Sequence, residues 1–153
     1  MTQVTAPRLY GYAFRVASVS GLFVSPARGS GVSERRGSAL AVAGWGIEGC
    51  AHGGRERREV LFASKEHLAA LGLDLGAIRE NVTVEGDDVQ AWPIGAQVRA
   101  GDALFEITMV CDPCHRMEEL RPGLRAELDG RRGMLARVVE GGEIRLGDAV
   151  ELL

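Results

Sequence analysis

The stretch Cys111-Asp112-Pro113-Cys114-His115-Arg116 concentrates two thiols, an imidazole and a guanidinium in one short segment. Pro113 fixes φ for a turn, and a helix is expected to open immediately after it. A thiol at a helix N-terminus, beside His115 and Arg116, is favoured as thiolate, the form that attacks sulfur or carbon and ligates metals. Cys114 is therefore the candidate working thiol. Cys111 closes an apolar run and reads as a small buried hydrophobe. Thioredoxin-like use of the C-x-x-C pair would need a βαβ setting, which the surrounding pattern lacks. A zinc deaminase would need H-x-E paired with P-C-x-x-C, and neither occurs.

A second group lies upstream. Cys50 and His52 form a C-x-H pair, which together with Cys111 and Cys114 would supply four soft ligands for a structural zinc. Arg55, Arg57 and Arg58 follow His52 closely, an arrangement that suits an anion site with two of the three on a solvated turn. Glu80 and Asn81 stand at the start of a predicted strand, where Asn commonly bonds local backbone. Gly44-Trp45-Gly46-Ile47-Glu48-Gly49 spells G-x-G-x-x-G. That fingerprint needs an apolar helix after it to receive a pyrophosphate. The segment 50–58 is instead glycine-rich and charged, so the motif reads as a turn.

The elements that must position these residues are mostly strands. Short runs rich in Val, Ile, Phe and Leu at 13–24, 38–43, 58–63, 81–84, 103–110, 134–139 and 149–152 are bounded by turn signals, as in an all-β barrel or sandwich. A repeated strand, Gly-Asp turn, strand pattern occurs at 98–104 and again at 144–150, and Gly141-Gly142 suggests a hairpin turn. Two short helical inserts are expected. The first is capped by Ser64 and lined by Leu68, Leu71 and Leu75; the second runs from 114 or 115 to 128 and is interrupted at Pro122-Gly123. The segment 25–37 reads as an exposed loop.

Composition narrows the classes. The 153 residues suit a single domain, 1–153, and 46% are hydrophobic against 25% charged, which excludes a disordered chain. No apolar stretch approaches the roughly 18 residues of a membrane-spanning helix. Net charge is −3 with both signs scattered, so no nucleic-acid-binding face is expected. Basic residues are 17 Arg and one Lys, a bias toward planar anion contacts. Three unevenly spaced cysteines imply a reducing, cytoplasmic setting rather than a disulfide framework.

Taken in order, the motifs resemble the MOSC domain, named for the C-terminal domain of molybdenum cofactor sulfurases. The resemblance runs over 16–153. It is carried by Gly46-Ile47-Glu48-Gly49 with His52, Arg58 ahead of Val60, Glu80-Asn81 leading into Glu85-Gly86, Ile94-Gly95, Gly101-Asp102, Pro113-Cys114, Gly133, Val138, Gly141-Gly142 and Gly147-Asp148. It looks like a small stand-alone bacterial member. The resemblance implies a closed, irregular β-barrel, and at Cys114 a thiol that carries sulfur as a persulfide or ligates molybdenum in the molybdopterin cofactor. It also implies a pyridoxal-phosphate-dependent cysteine desulfurase as an external sulfur donor. In some relatives the cofactor-loaded domain helps to reduce N-hydroxylated compounds. The chain is too short to contain a pyridoxal-phosphate domain, and its one lysine, Lys65, falls on a predicted helix face.

After Cys114, the resemblance selects His52 and Arg58, then Glu80 and Asn81, with His52 or His115 to move a proton. There is one departure: the family usually has Gly-Asp before the His, whereas Cys50 follows Gly49 here. A second thiol suggests that Cys50 and Cys114 work together, as a disulfide or a shared metal site. Two alternatives follow. One is an enzyme acting on a small sulfur-containing metabolite through Cys114 and Cys50. The other is a binding module stapled by zinc at Cys50, His52, Cys111 and Cys114.

Overall fold

Alternation of apolar residues closes the chain on itself. The computed structural model describes residues 16–27 and 33–153, and the backbone of two short strands before them, β1 (Arg8–Leu9) and β2 (Tyr12–Ala13). The strands that follow are β3 (Ala17–Val24), β4 (Glu34–Arg35), β5 (Ser38–Val42), β6 (Gly46–Ile47), β7 (Val60–Ser64) and β8 (Val82–Glu85). Next come β9 (Gln97–Ala100), β10 (Ala103–Val110), β11 (Met134–Glu140), β12 (Gly142–Arg145) and β13 (Ala149–Leu152). Seven of them form a closed barrel in the order β3, β8, β7, β11, β10, β9, β13, and β13 returns to β3 through Ala149 opposite Ser18. All barrel pairs are antiparallel except β7 with β8. The expected mainly-β barrel is the fold observed.

Among the described residues three short α-helices lie outside the strands: α1 (Lys65–Ala70), α2 (Arg116–Leu120) and α3 (Leu124–Glu127). The second expected insert is thus two helices, broken where Gly123 takes φ +86°. Ser64 stands at the N-cap of α1 without bonding its backbone. Its hydroxyl instead donates to the Asp87 carbonyl and accepts from Val89 N–H at 2.8 Å, tying β7 to the chain beyond β8. The helix also ends before Leu75, since the next residue after Leu71 is Gly72 at φ +67°. Of the expected loop 25–37, residues 28–32 lie outside the described part, and Glu34–Arg35 pair with β3.

The Gly101-Asp102 repeat does make a hairpin, with Ala103 opposite Ala100. Gly141 does not. The chain leaves the barrel there, and β12 pairs with β5 in a separate three-stranded sheet with β6. In that sheet Ile144 lies opposite Ala39, and its buried side chain joins the same core as Ala136 and Val138 of β11.

Side-chain period divides β7 and β11 between two environments. Val60, Phe62, Met134 and Ala136 point into the barrel core, where Phe62 meets Phe105 and Trp92 edge to face at 5.0 and 5.6 Å. Leu61 and Leu135, paired across the two strands, face outward with Cys111. Beside them Ala63, Leu68, Ile78, Met117, Leu124 and Leu128 seat the helices on the barrel wall, and Cys114 packs at the edge of that layer. Two outward apolar patches thus fix the floor and one wall of a cleft.

Gly133 opens β11 at φ +110°, and a Cβ there would stand 2.1 Å from the Phe62 carbonyl oxygen. Its N–H donates to Gln90 Oε1 and its carbonyl accepts from Cys111 N–H. Gly133→Ala is therefore expected to destabilise by about 2–6 kcal/mol, combining backbone strain with a forced separation of β7 and β11. Chemical denaturation measures it; a loss below 1 kcal/mol, roughly the weakest of these effects alone, would contradict the close approach.

Candidate functional site

The cleft, about 440 Å³ in volume, lies over the outer face of β7 and β11. Leu61 and Leu135 form its floor. Its walls are His52, Arg55 and Arg58 from the loop after β6, Arg79 and Asn81 ahead of β8, Cys111 with Cys114, His115, Arg116 and Met117 around the start of α2, and Arg132 ahead of β11. Among the lining residues are five arginines and two histidines, with no carboxylate. Cys114, His52, Arg58, Asn81 and His115 therefore do come together. Glu80 and Cys50 do not line the cleft; both are buried behind its wall.

Asn81 ties this wall together. Its Oδ1 accepts from Leu61 N–H at 3.0 Å, and its Nδ2 donates to the Phe23 carbonyl at 3.1 Å and to Cys50 Sγ at 3.4 Å. One amide thus joins β3, β7 and the loop after β6, a wider role than the local backbone contact expected of it. Cys50 Sγ lies 3.5 Å from His52 Nδ1. Burial pushes the Cys50 thiol up, but hydrogen bonds from the His52 ring, the His52 and Ser25 backbone and Asn81 outweigh it and bring it down from 9.0 to about 6. Cys50 is the thiol that its neighbours hold as thiolate. Cys111 behaves oppositely: burial raises its thiol, against the lowering charges of Arg132 and Arg58. It is the small buried hydrophobe expected, although its edge reaches the cleft.

Glu80 is fully buried, and its Oε2 accepts from Gly76 N–H and Thr83 Oγ1, each at 2.9 Å. Burial raises its carboxyl above the usual range despite those bonds and the charge of Arg132. Its role is to brace the turn before β8. Arg57 turns away from the cleft toward the Thr108 carbonyl, so two of the three clustered arginines reach the site rather than one.

Arg79 and Arg132 were not foreseen. Arg132 is only 8% exposed, yet its Nε and Nη1 have no hydrogen-bond partner. Arg79 donates from Nη2 to the Ala27 carbonyl, while its Nε is buried and unpartnered. Unpaired buried guanidinium nitrogens are costly, and here they stand at a cleft without acids.

The zinc staple does not assemble. Among the described residues no three His, Cys, Asp or Glu side chains converge as a metal site. The three cysteines are free thiols, and Cys50 is engaged with His52 and Asn81 rather than with Cys114. Lys65 pairs with Glu85, away from the cleft. No helix among the described residues is long and apolar enough to cross a membrane.

A family profile for the MOSC domain matches residues 49–151. The chain belongs to the MOSC domain family. The YuaD protein of Bacillus subtilis has a similar crystal structure, at 22% identity and TM-score 0.73, covering 90% of this chain and 96% of that one. YiiM of Geobacillus stearothermophilus is similar at 19% identity and TM-score 0.72, covering 90% and 75%. YiiM of Escherichia coli is similar at 17% identity and TM-score 0.67, covering 90% and 68%. These likenesses establish the shared fold. No curated protein sequence matches this MOSC domain.

Proposed function

We propose that this MOSC domain carries sulfur on Cys114, inside a cleft that holds its donor or acceptor by negative charge. The observation that carries this reading is the company Cys114 keeps: a half-buried thiol in a cleft with five arginines and no carboxylate, two of the arginines having buried nitrogens to spare. Cys114 thiolate attacks the outer sulfur of a donor persulfide. The donor's S–S bond breaks, a new S–S bond forms at Cys114, and the donor leaves as thiolate, with no net gain or loss of electrons. His52 or His115, both on the cleft wall, takes or returns the proton. A cysteine desulfurase is the partner class that supplies such a donor, and the chain itself offers no lysine in the cleft to hold pyridoxal phosphate.

The same residues fit the molybdenum-pterin group associated with the family. The spare nitrogens of Arg79 and Arg132 suit its phosphate, and Cys114 suits its soft metal. When bound, the group would supply two-electron redox chemistry, the residues of the chain serving to hold and orient it.

Intact mass and elemental analysis of unreduced protein test this directly. Wild type incubated with a persulfide donor is expected to gain the mass of one sulfur atom or to retain molybdenum, and Cys114→Ser to do neither while keeping its far-ultraviolet spectrum. An equal gain of sulfur and equal molybdenum in the two proteins would overturn the assignment.

A further inference from the structure

Cys50 is the buried nucleophile that the proposed chemistry leaves unused. At 3% exposure it is closed to any reagent in the cleft, so whatever it does is done through its neighbours. We propose that Cys50 is a positioning residue: its buried sulfur accepts the Nδ1–H hydrogen of His52 and leaves the Nε2 lone pair to face the arginine-lined cleft.

The hydrogen-bond geometry fixes the direction. Asn81 Oδ1 is committed to Leu61 N–H, so the atom that meets Cys50 Sγ at 3.4 Å is the Nδ2 donor. The sulfur is therefore already an acceptor on that side. The backbone amides of Ser25 and His52 also turn their N–H groups to it. A thiol proton directed at Nδ1 would leave this ring of donors around a neutral sulfur, a poor acceptor. An anionic sulfur satisfies all of them, and the fourth donor is His52 Nδ1–H at 3.5 Å. The charged and titratable groups that share the cleft with His52 are Arg55, Arg58, Arg79, Arg116, Arg132 and His115, and the arginines favour negative charge behind the ring.

The consequence is chemical. A free imidazole prefers its proton on Nε2; this site reverses the preference, as a carboxylate does for the histidine of a hydrolytic triad. Nε2 is then a ready proton acceptor for a thiol or perthiol arriving beside Cys114. What Nε2 acts on rests on the proposed sulfur chemistry, whereas the tautomer does not.

Side-chain nitrogen NMR at mildly alkaline pH separates the two. Wild-type His52, assigned by its loss in His52→Gln, is expected to carry its proton on Nδ1. Cys50→Ala should move the proton to Nε2, and Cys50→Asp, which restores an anionic acceptor, should return it. Sulfur uptake by Cys114 should fall roughly a hundredfold or more in Cys50→Ala and recover in Cys50→Asp, with binding of inorganic phosphate unchanged throughout. An Nε2–H tautomer in wild type overturns the inference without any variant, and so decides it even if Cys50→Ala fails to fold. A tautomer that ignores Cys50→Ala overturns it too. The expected tautomers with no sulfur uptake by wild type would uphold the Cys50 role and defeat the sulfur-carrier reading alone.

Discussion

Arg132→Met is expected to lose the cleft's affinity for anions while leaving the unliganded fold at least as stable as wild type. The side chain is buried, its Nε and Nη1 are unpartnered, and the carboxylate that feels its charge, Glu80, makes no hydrogen bond to it. Burial already holds Glu80 above the usual carboxylate range, and removing Arg132 removes one of the influences that lower it, so the neutral carboxyl is favoured further. A buried guanidinium without a partner costs several kcal/mol in desolvation. Methionine keeps the apolar stem and discards that cost. The guanidinium therefore makes sense as a ligand contact rather than as a brace. With inorganic phosphate at about a hundred times its Kd, wild type should gain about 2.7 kcal/mol, a rise in Tm of roughly 5–10 °C for a chain of this size. One charge-assisted contact is worth about 1.5–3 kcal/mol, so the variant should bind phosphate roughly 10- to 150-fold more weakly. A variant that unfolds at lower temperature than wild type without phosphate, yet shows the same phosphate-induced rise, would make Arg132 structural.

How far the sequence carried depends on how far apart the cooperating residues are. The Gly101-Asp102 hairpin was legible because both of its strands lie within a few residues of the turn. The departure of β12 to pair with β5 was not, because its partner is about a hundred residues away and nothing in Gly141-Gly142 records it. The family resemblance selected Cys114, His52, Arg58 and Asn81, which meet at the cleft, and Glu80, which does not line it; His115 was legible as the neighbour of Cys114. Local pattern alone could not bring residues 52, 81 and 114 to one cleft. Arg79 and Arg132 were missed because an arginine reads as a solvated charge until tertiary packing buries it. The signals that were present are Arg79 immediately before Glu80-Asn81 and Arg132 immediately before Gly133, each beside a residue already singled out. Cys50 stands out as a departure from the family pattern, and the leading cause of its acidity, His52, is its neighbour in sequence; the further support from Ser25 and Asn81 comes from distant segments that no local pattern reveals.

That acidity has a thermodynamic signature. The Cys50 thiol ionises near 6 in the fold against an ordinary value of 9.0, so between these pH values the folded chain has released a proton that the unfolded chain keeps. Stability from this source is complete above pH 9.0, declines as pH falls, and is gone below about 6. Its ceiling is about 4 kcal/mol. Cys50→Ser retains a small acceptor that does not ionise, so the difference in unfolding free energy between wild type and variant should widen steadily from pH 6 to 9. Cys111 does not obscure the trend, since burial raises its thiol and moves its own linkage to more alkaline pH. Denaturant midpoints for the two proteins, with unchanged m-values, measure the difference. Parallel stability curves would mean that the Cys50–His52 pair keeps its proton throughout, shared between Sγ and Nδ1. Nε2 would then carry a hydrogen and could only donate to the cleft, which would exclude it as the acceptor of the thiol proton and leave that role to His115.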